Sequence, residues 1–91
     1  MSDLAVFDNP AQHRFELHDG DKIAFLSYRL HPAEIILIHT EVPKELGGRG
    51  IGGKLAQAAL DSARARNLKV KAPCPFVSGW IQKHPEYSDL L

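Results

Sequence analysis

Ninety-one residues, 44 % of them hydrophobic and 24 % charged, give one globular domain with one core. Eleven basic residues balance eleven acidic ones, which argues against broad nucleic-acid or membrane-surface binding. A lone cysteine excludes an intrachain disulfide, and the longest apolar run, Ile35 to Ile38, is too short for a leader or a membrane span, so the sequence fits the cytoplasm.

Residues 1–12 read as a loose lead-in with a turn at Asn9-Pro10. His13 to His18 alternates, Phe15 and Leu17 against Arg14 and Glu16, which predicts a half-buried strand. Asp19-Gly20-Asp21 is a hairpin turn. Lys22 to Leu30 alternates again, with Ala24, Leu26, Tyr28 and Leu30 on one face. After His31-Pro32-Ala33-Glu34, residues Ile35 to Val42 form a third strand. Its apolar residues fall on both faces, so it is expected to be central and covered on both sides. Its end turns polar, with His39 and Glu41 on one face and Thr40 on the other.

Helical spacing runs from about Gly50 to Arg66. Ile51, Leu55, Ala56, Ala59, Leu60 and Ala63 fill one arc, and Asn67 is a left-handed stop. Leu68 to Ala72 is a short strand, parallel to the third by the logic of a βαβ unit. Beyond Pro73-Cys74-Pro75 a second helix puts Phe76, Val77, Trp80 and Ile81 on one stripe and ends at His84-Pro85. Tyr87, Leu90 and Leu91 then dock a final turn on the body. The fold class is therefore α+β: an antiparallel meander of three strands, a central helix and a parallel strand, then one or two short helices, all within a single domain over residues 1–91.

Chemistry concentrates between Glu41 and Leu55, where five residues are glycine. A glycine loop opening a helix aims free N–H groups and the positive helix end at one spot, which suits a phosphate. A nucleotide P-loop matches Gly48-x-x-x-x-Gly53-Lys54, but Leu55 stands where Ser or Thr binds Mg²⁺. A dinucleotide fingerprint matches Gly48-x-Gly50-x-x-Gly53, but no acid for a ribose follows in Leu68 to Cys74. Coenzyme A is the third reading. Val42-Pro43-x-x-Leu46-x-Gly48-Arg49-Gly50-Ile51-Gly52-x-x-Leu55, followed by an Ala-rich helix, resembles the acetyl-CoA motif of the GNAT N-acetyltransferase superfamily. Gly47 departs from that pattern, standing where Gln or Arg is usual. Leu68-Lys69-Val70-x-x-x-Cys74-Pro75-Phe76-Val77 and His84-Pro85-Glu86-Tyr87-x-Asp89-Leu90 resemble a subfamily of minimal, single-domain members.

The resemblance implies acetyl-CoA as cofactor and an unidentified amine as acceptor. It places the pyrophosphate on Gly47, Gly48, Arg49, Gly50, Ile51, Gly52, Gly53 and Lys54, with Lys44 adding charge. It places the pantetheine arm on Thr40, Glu41 and Val42, in a wedge between the two parallel strands. The candidate base is Glu41, then His39. Cys74, before a helix N-terminus and near the expected thioester, reads as a nucleophile, a lining of the acyl pocket or inert core. Tyr87 reads as packing or as a general acid. Phe76 and Trp80 read as core. The five histidines show no metal spacing, so no metal is expected. Three functional readings stand: an acetyl-CoA-dependent N-acetyltransferase, a non-catalytic or weakly catalytic module that holds CoA or acyl-CoA, and a protein-interaction domain with a degenerate site that uses the exposed face of the last helix. The first partners expected are acetyl-CoA and the amine, with no nucleic acid or membrane, for a monomer or weak homodimer.

Overall fold

The computed structural model describes residues 5–91; the first four residues of the expected lead-in lie outside them. The rest of that lead-in is not loose. Val6–Asn9 forms strand β1, paired antiparallel with β2 (Arg14–Asp19), Val6 opposite Leu17 and Asn9 opposite Arg14. Four residues carry too little alternation to announce a strand, and tertiary pairing supplies the order. Tyr28, two strands away, donates its hydroxyl to Asp8 at 2.6 Å and ties the new edge down.

The expected hairpin follows. β2 pairs antiparallel with β3 (Lys22–Leu30) across the turn at Gly20, burying Phe15, Leu17, Ala24, Leu26 and Tyr28 on one face. Leu30, expected on that face, is exposed at the strand end. β4 (Glu34–Glu41) pairs antiparallel with β3 and parallel with β5 (Lys69–Lys71), giving the order β1-β2-β3-β4-β5. The meander thus has four strands, with one parallel strand added.

The connection between β4 and β5 is helix α1 (Ile51–Ala65). Its buried residues are Ile51, Leu55, Ala56, Ala59, Leu60 and Ala63, the arc read from the spacing. It ends in a Schellman closure: Asn67 at φ +59°, with Leu68 N–H on the Ala63 carbonyl at 2.8 Å and Asn67 N–H on the Arg64 carbonyl at 3.2 Å. Helix α2 (Pro75–Lys83) starts on Pro75 and buries Val77 and Ile81. Phe76 is 46 % exposed and Trp80 only half-buried, so the core stripe is narrower than expected. A 3-10 turn over Pro85–Leu90 docks Tyr87 and Leu90, while Leu91 stays exposed.

One buried cluster joins α1, α2 and the final turn to the Phe15, Leu26, Ile35 and Leu37 face of the sheet. Among the described residues nothing covers the other face, which corrects the reading of β4: Ile36 is half-buried and Ile38 is 40 % exposed. Tyr28 pairs with Leu37 and Ser27 with His39, so Ile38 is an extra residue in a β-bulge. The bulge interrupts the alternation just before the polar end of the strand.

Candidate functional site

β4 and β5 part early. Their last pair is Ile36 with Lys71, yet β4 continues to Glu41. Cys74 N–H reaches the Leu37 carbonyl at 3.3 Å, and past that point, among the described residues, no strand pairs with β4 on the side away from β3. The result is a fork, with Cys74 at its base.

Thr40 lies opposite Leu26 and so faces the helices. Its Oγ1 is 3.4 Å from the buried Cys74 Sγ. Burial pushes the Cys74 thiol up, but the Thr40 hydroxyl and the Val77 and Phe76 N–H groups at the start of α2 outweigh it. The net effect holds the thiol below its ordinary range. His39 lies opposite Ser27 and Glu41 opposite Phe25, both on the open face. His39 Nε2 is 3.1 Å from Glu41 Oε1, and these side chains are 59 % and 62 % exposed. The sheet therefore brings Thr40 to Cys74 and His39 to Glu41, one pair on each face.

The loop to α1 starts with Val42, half-buried against the core, and a 3-10 turn over Lys44–Leu46 anchored by buried Leu46. Gly47 N–H is bound to the Lys44 carbonyl at 3.0 Å. Gly48 at φ +78° and Gly50 at φ +71° take left-handed conformations that side chains resist. Gly50 caps α1, and its carbonyl accepts from Lys54 N–H at 3.1 Å. Among the described residues, no protein oxygen accepts from the N–H groups of Gly48, Arg49, Gly50, Ile51, Gly52 or Gly53. Ile51 itself is buried, so its side chain anchors the first turn.

Not every glycine serves the loop alone. A Cβ on Gly52 would sit 2.7 Å from Phe76 Cζ, and one on Gly53 would sit 3.0 Å from Trp80 Nε1. These two positions let α2 lie close against the start of α1, so packing accounts for part of the glycine content. Arg49 is also engaged, with Nη1 2.8 Å from Oδ2 of Asp19 at the end of β2. Lys44 and Lys54 are exposed. Tyr87 is buried and donates to Asp61 on α1 at 2.6 Å; that bond, then burial, pushes its hydroxyl up. Its proton is committed to packing α1 against the final turn. Among the described residues, no group of three His, Cys, Asp or Glu side chains gathers to hold a metal ion.

The alternation of β2 gave no warning of Glu16. It points to the open face, yet it is 3 % exposed, because Asn9, Arg14 and His18 surround it. Asn9 Nδ2 is 3.1 Å and His18 Nε2 2.8 Å from its carboxylate. Arg14 also lies over the Phe25 ring at 4.6 Å, and Phe25 meets His39 edge-on at 6.2 Å. The signal available was His, Arg and Glu at two-residue spacing on one strand face.

The fold that holds this fork and glycine loop is similar to that of a known structure. A family model described as GCN5-related N-acetyl-transferase matches residues 14–90, and the chain belongs to that family. The NMR solution structure of a GCN5-like protein from Staphylococcus aureus superposes with a TM-score of 0.75 at 35 % identity, covering 99 % of this chain and 89 % of that one. Protein NATD1 of Xenopus tropicalis is 32 % identical over 65 residues, 71 % of this chain and 60 % of that protein. Human protein NATD1 is 41 % identical over 49 residues, 54 % of this chain and 43 % of that protein. The chain thus spans about half the length of the curated relatives it matches. No helix among the described residues is long and apolar enough to cross a membrane.

Proposed function

We propose that this chain is an acetyl-CoA-dependent N-acetyltransferase, a single domain working in the cytoplasm as a monomer or weak homodimer. The observation that carries the reading is the row of N–H groups from Gly48 to Gly53 without protein acceptors among the described residues, at the mouth of α1 and next to the β4–β5 fork. Those donors fit a diphosphate, and a Cβ at Gly48 or Gly50 would strain the turn that aims them. Lys44 and Lys54 add charge to the same end, and the β4 edge at Thr40, Glu41 and Val42 offers backbone groups to the pantetheine amides.

Acetyl-CoA supplies a thioester: the acceptor nitrogen bonds its carbonyl carbon, the C–S bond breaks, and CoA leaves as the thiol. The protein must hold that carbonyl against N–H groups at the strand end and take a proton from the amine. With its Nε2 hydrogen directed at Glu41, His39 presents Nδ1 as the free lone pair. His39 thus takes the proton, and Glu41 fixes the tautomer and stabilises the imidazolium.

A second reading is favoured by the lowered Cys74 thiol. Here the acetyl carbon first bonds to Cys74 Sγ as CoA leaves with the thiol proton, and the amine then displaces Sγ. Calorimetric titration with acetyl-CoA, followed by an amine panel scored for free CoA, tests the function. Binding with turnover on any amine supports the enzyme; binding with no turnover leaves the CoA-holding module in its place.

A further inference from the structure

A second concavity, with a volume of about 380 Å³, lies at the β-bulge. Such a size suits a small molecule. Its lining includes His13, Ser27, Arg29, Leu30, His31 and Ile38. Three of these carry basic side chains, and no carboxylate is among its lining residues. Among the described residues, Arg29 forms no ion pair. Leu30 and Ile38, two of the exposed large hydrophobic residues, form an apolar side to the same hollow. The rim is fixed by backbone bonds. Tyr28 N–H donates to the His13 carbonyl at 2.8 Å, with His13 held at φ +55°, and His31 N–H donates to the Glu34 carbonyl at 2.8 Å. Asp8, the acid that approaches Tyr28, is occupied by its hydroxyl at 2.6 Å.

This hollow touches the candidate site. Ser27 donates its hydroxyl to the His39 carbonyl at 3.3 Å. Ile38 precedes His39 and stands two residues from Thr40, roughly 6–7 Å along a strand. Two ends of one small molecule can therefore reach both places.

We propose that the hollow binds a carboxylate, and that the acceptor is a small amine that also carries a carboxylate a few bonds away. Arg29 takes the carboxylate, His13 and His31 line its approach, and Leu30 and Ile38 cover the alkyl spacer. The amine end then lies toward His39. The assignment of the acceptor rests on the acetyltransferase reading, whereas the carboxylate site does not.

The test uses the ¹⁵N-labelled full chain without acetyl-CoA. Butyrate is expected to shift amide signals of residues 27–31 and 38, and n-butylamine is not. Arg29→Ala is expected to weaken butyrate about tenfold or more, the loss of one charge-assisted bond, and Arg29→Lys to restore part of it. No shift with butyrate, equal shifts with n-butylamine, or an unchanged Kd in Arg29→Ala overturns the carboxylate site. In the transfer assay 4-aminobutyrate is expected to exceed n-butylamine in kcat/KM by about tenfold. Equal values overturn the acceptor assignment. Transfer to neither amine, with butyrate still bound, counts against the catalytic reading and supports the carboxylate site alone.

Discussion

Thr40 and Cys74, 34 positions apart in sequence, meet at 3.4 Å between Oγ1 and Sγ where β4 outruns β5. Against burial, which raises it, the contact and the Val77 and Phe76 N–H groups together hold the thiol below its ordinary range, at the base of the fork. The two catalytic routes divide here. If the acetyl group passes through Sγ, incubation with acetyl-CoA adds one acetyl mass to the wild type and none to Cys74→Ala. If transfer is direct, Cys74→Ala keeps most of its kcat. Thr40→Val raises the thiol and slows its alkylation in either case, because the hydroxyl no longer stabilises the thiolate.

Gly50 and Gly52 are expected to respond differently to alanine. Gly50→Ala forces a side chain into φ +71° and costs about 1–2 kcal/mol, read as a lower Tm. It also disturbs the N–H row, so affinity for CoA falls. Gly52→Ala meets only the end of the Phe76 ring, which is 46 % exposed and can swing outward. Its stability is expected to change by less than that of Gly50→Ala. Equal Tm losses would show that the ring is not free to move.

Arg49 is held by Asp19 at 2.8 Å, with both side chains well exposed. Such pairs contribute about 0–1 kcal/mol, so Asp19→Ala leaves the fold intact. It also removes a negative charge from the loop and frees a guanidinium for phosphate. Acetyl-CoA is expected to bind Asp19→Ala more tightly than wild type, with the gain fading at high salt. Weaker binding would mean that Asp19 holds the loop in its binding shape.

Glu16 gives the fold an acid-sensitive point. The His18 bond lowers its pKa most; burial opposes this, and the Arg14 and Asn9 bonds add to the lowering. A carboxyl lowered on folding stabilises the protein fully above its unfolded pKa, about 4.3, and loses that contribution as pH falls through the lower folded value. Stability is therefore expected to fall below about pH 4. Glu16→Gln costs about 1–3 kcal/mol at neutral pH and flattens that decline in urea titrations followed by circular dichroism. An unchanged acid limb in Glu16→Gln would place the sensitivity elsewhere.

Local patterning carried most of the architecture. The α1 arc, the Asn67 stop, the Pro75 start and the β2–β3 hairpin each follow from residues within one or two turns of one another. What escaped depends on distant partners. β1 exists because Val6 finds Leu17 and Asp8 finds Tyr28. Four consecutive apolar residues implied a strand covered on both faces, whereas Ile36 is only half-buried and Ile38, the extra residue of a bulge, is 40 % exposed. Within the candidate site, same-face placement of His39 and Glu41 was legible because strands alternate. The Thr40–Cys74 contact and the Asp19–Arg49 pair depend on how separate elements dock. Arg29 gave no sign at all, since a basic residue near a strand end is ordinary until His13, His31 and Ile38 gather around it.

An acetyl-CoA titration of the ¹⁵N-labelled chain tests the central claim most directly. The expected result is saturable shifts of the amide signals from Gly48 to Lys54, with smaller ones at Thr40 and Cys74. Unmoved signals across residues 48–54 at millimolar acetyl-CoA would contradict the diphosphate assignment, and the acetyl-transfer chemistry built on it.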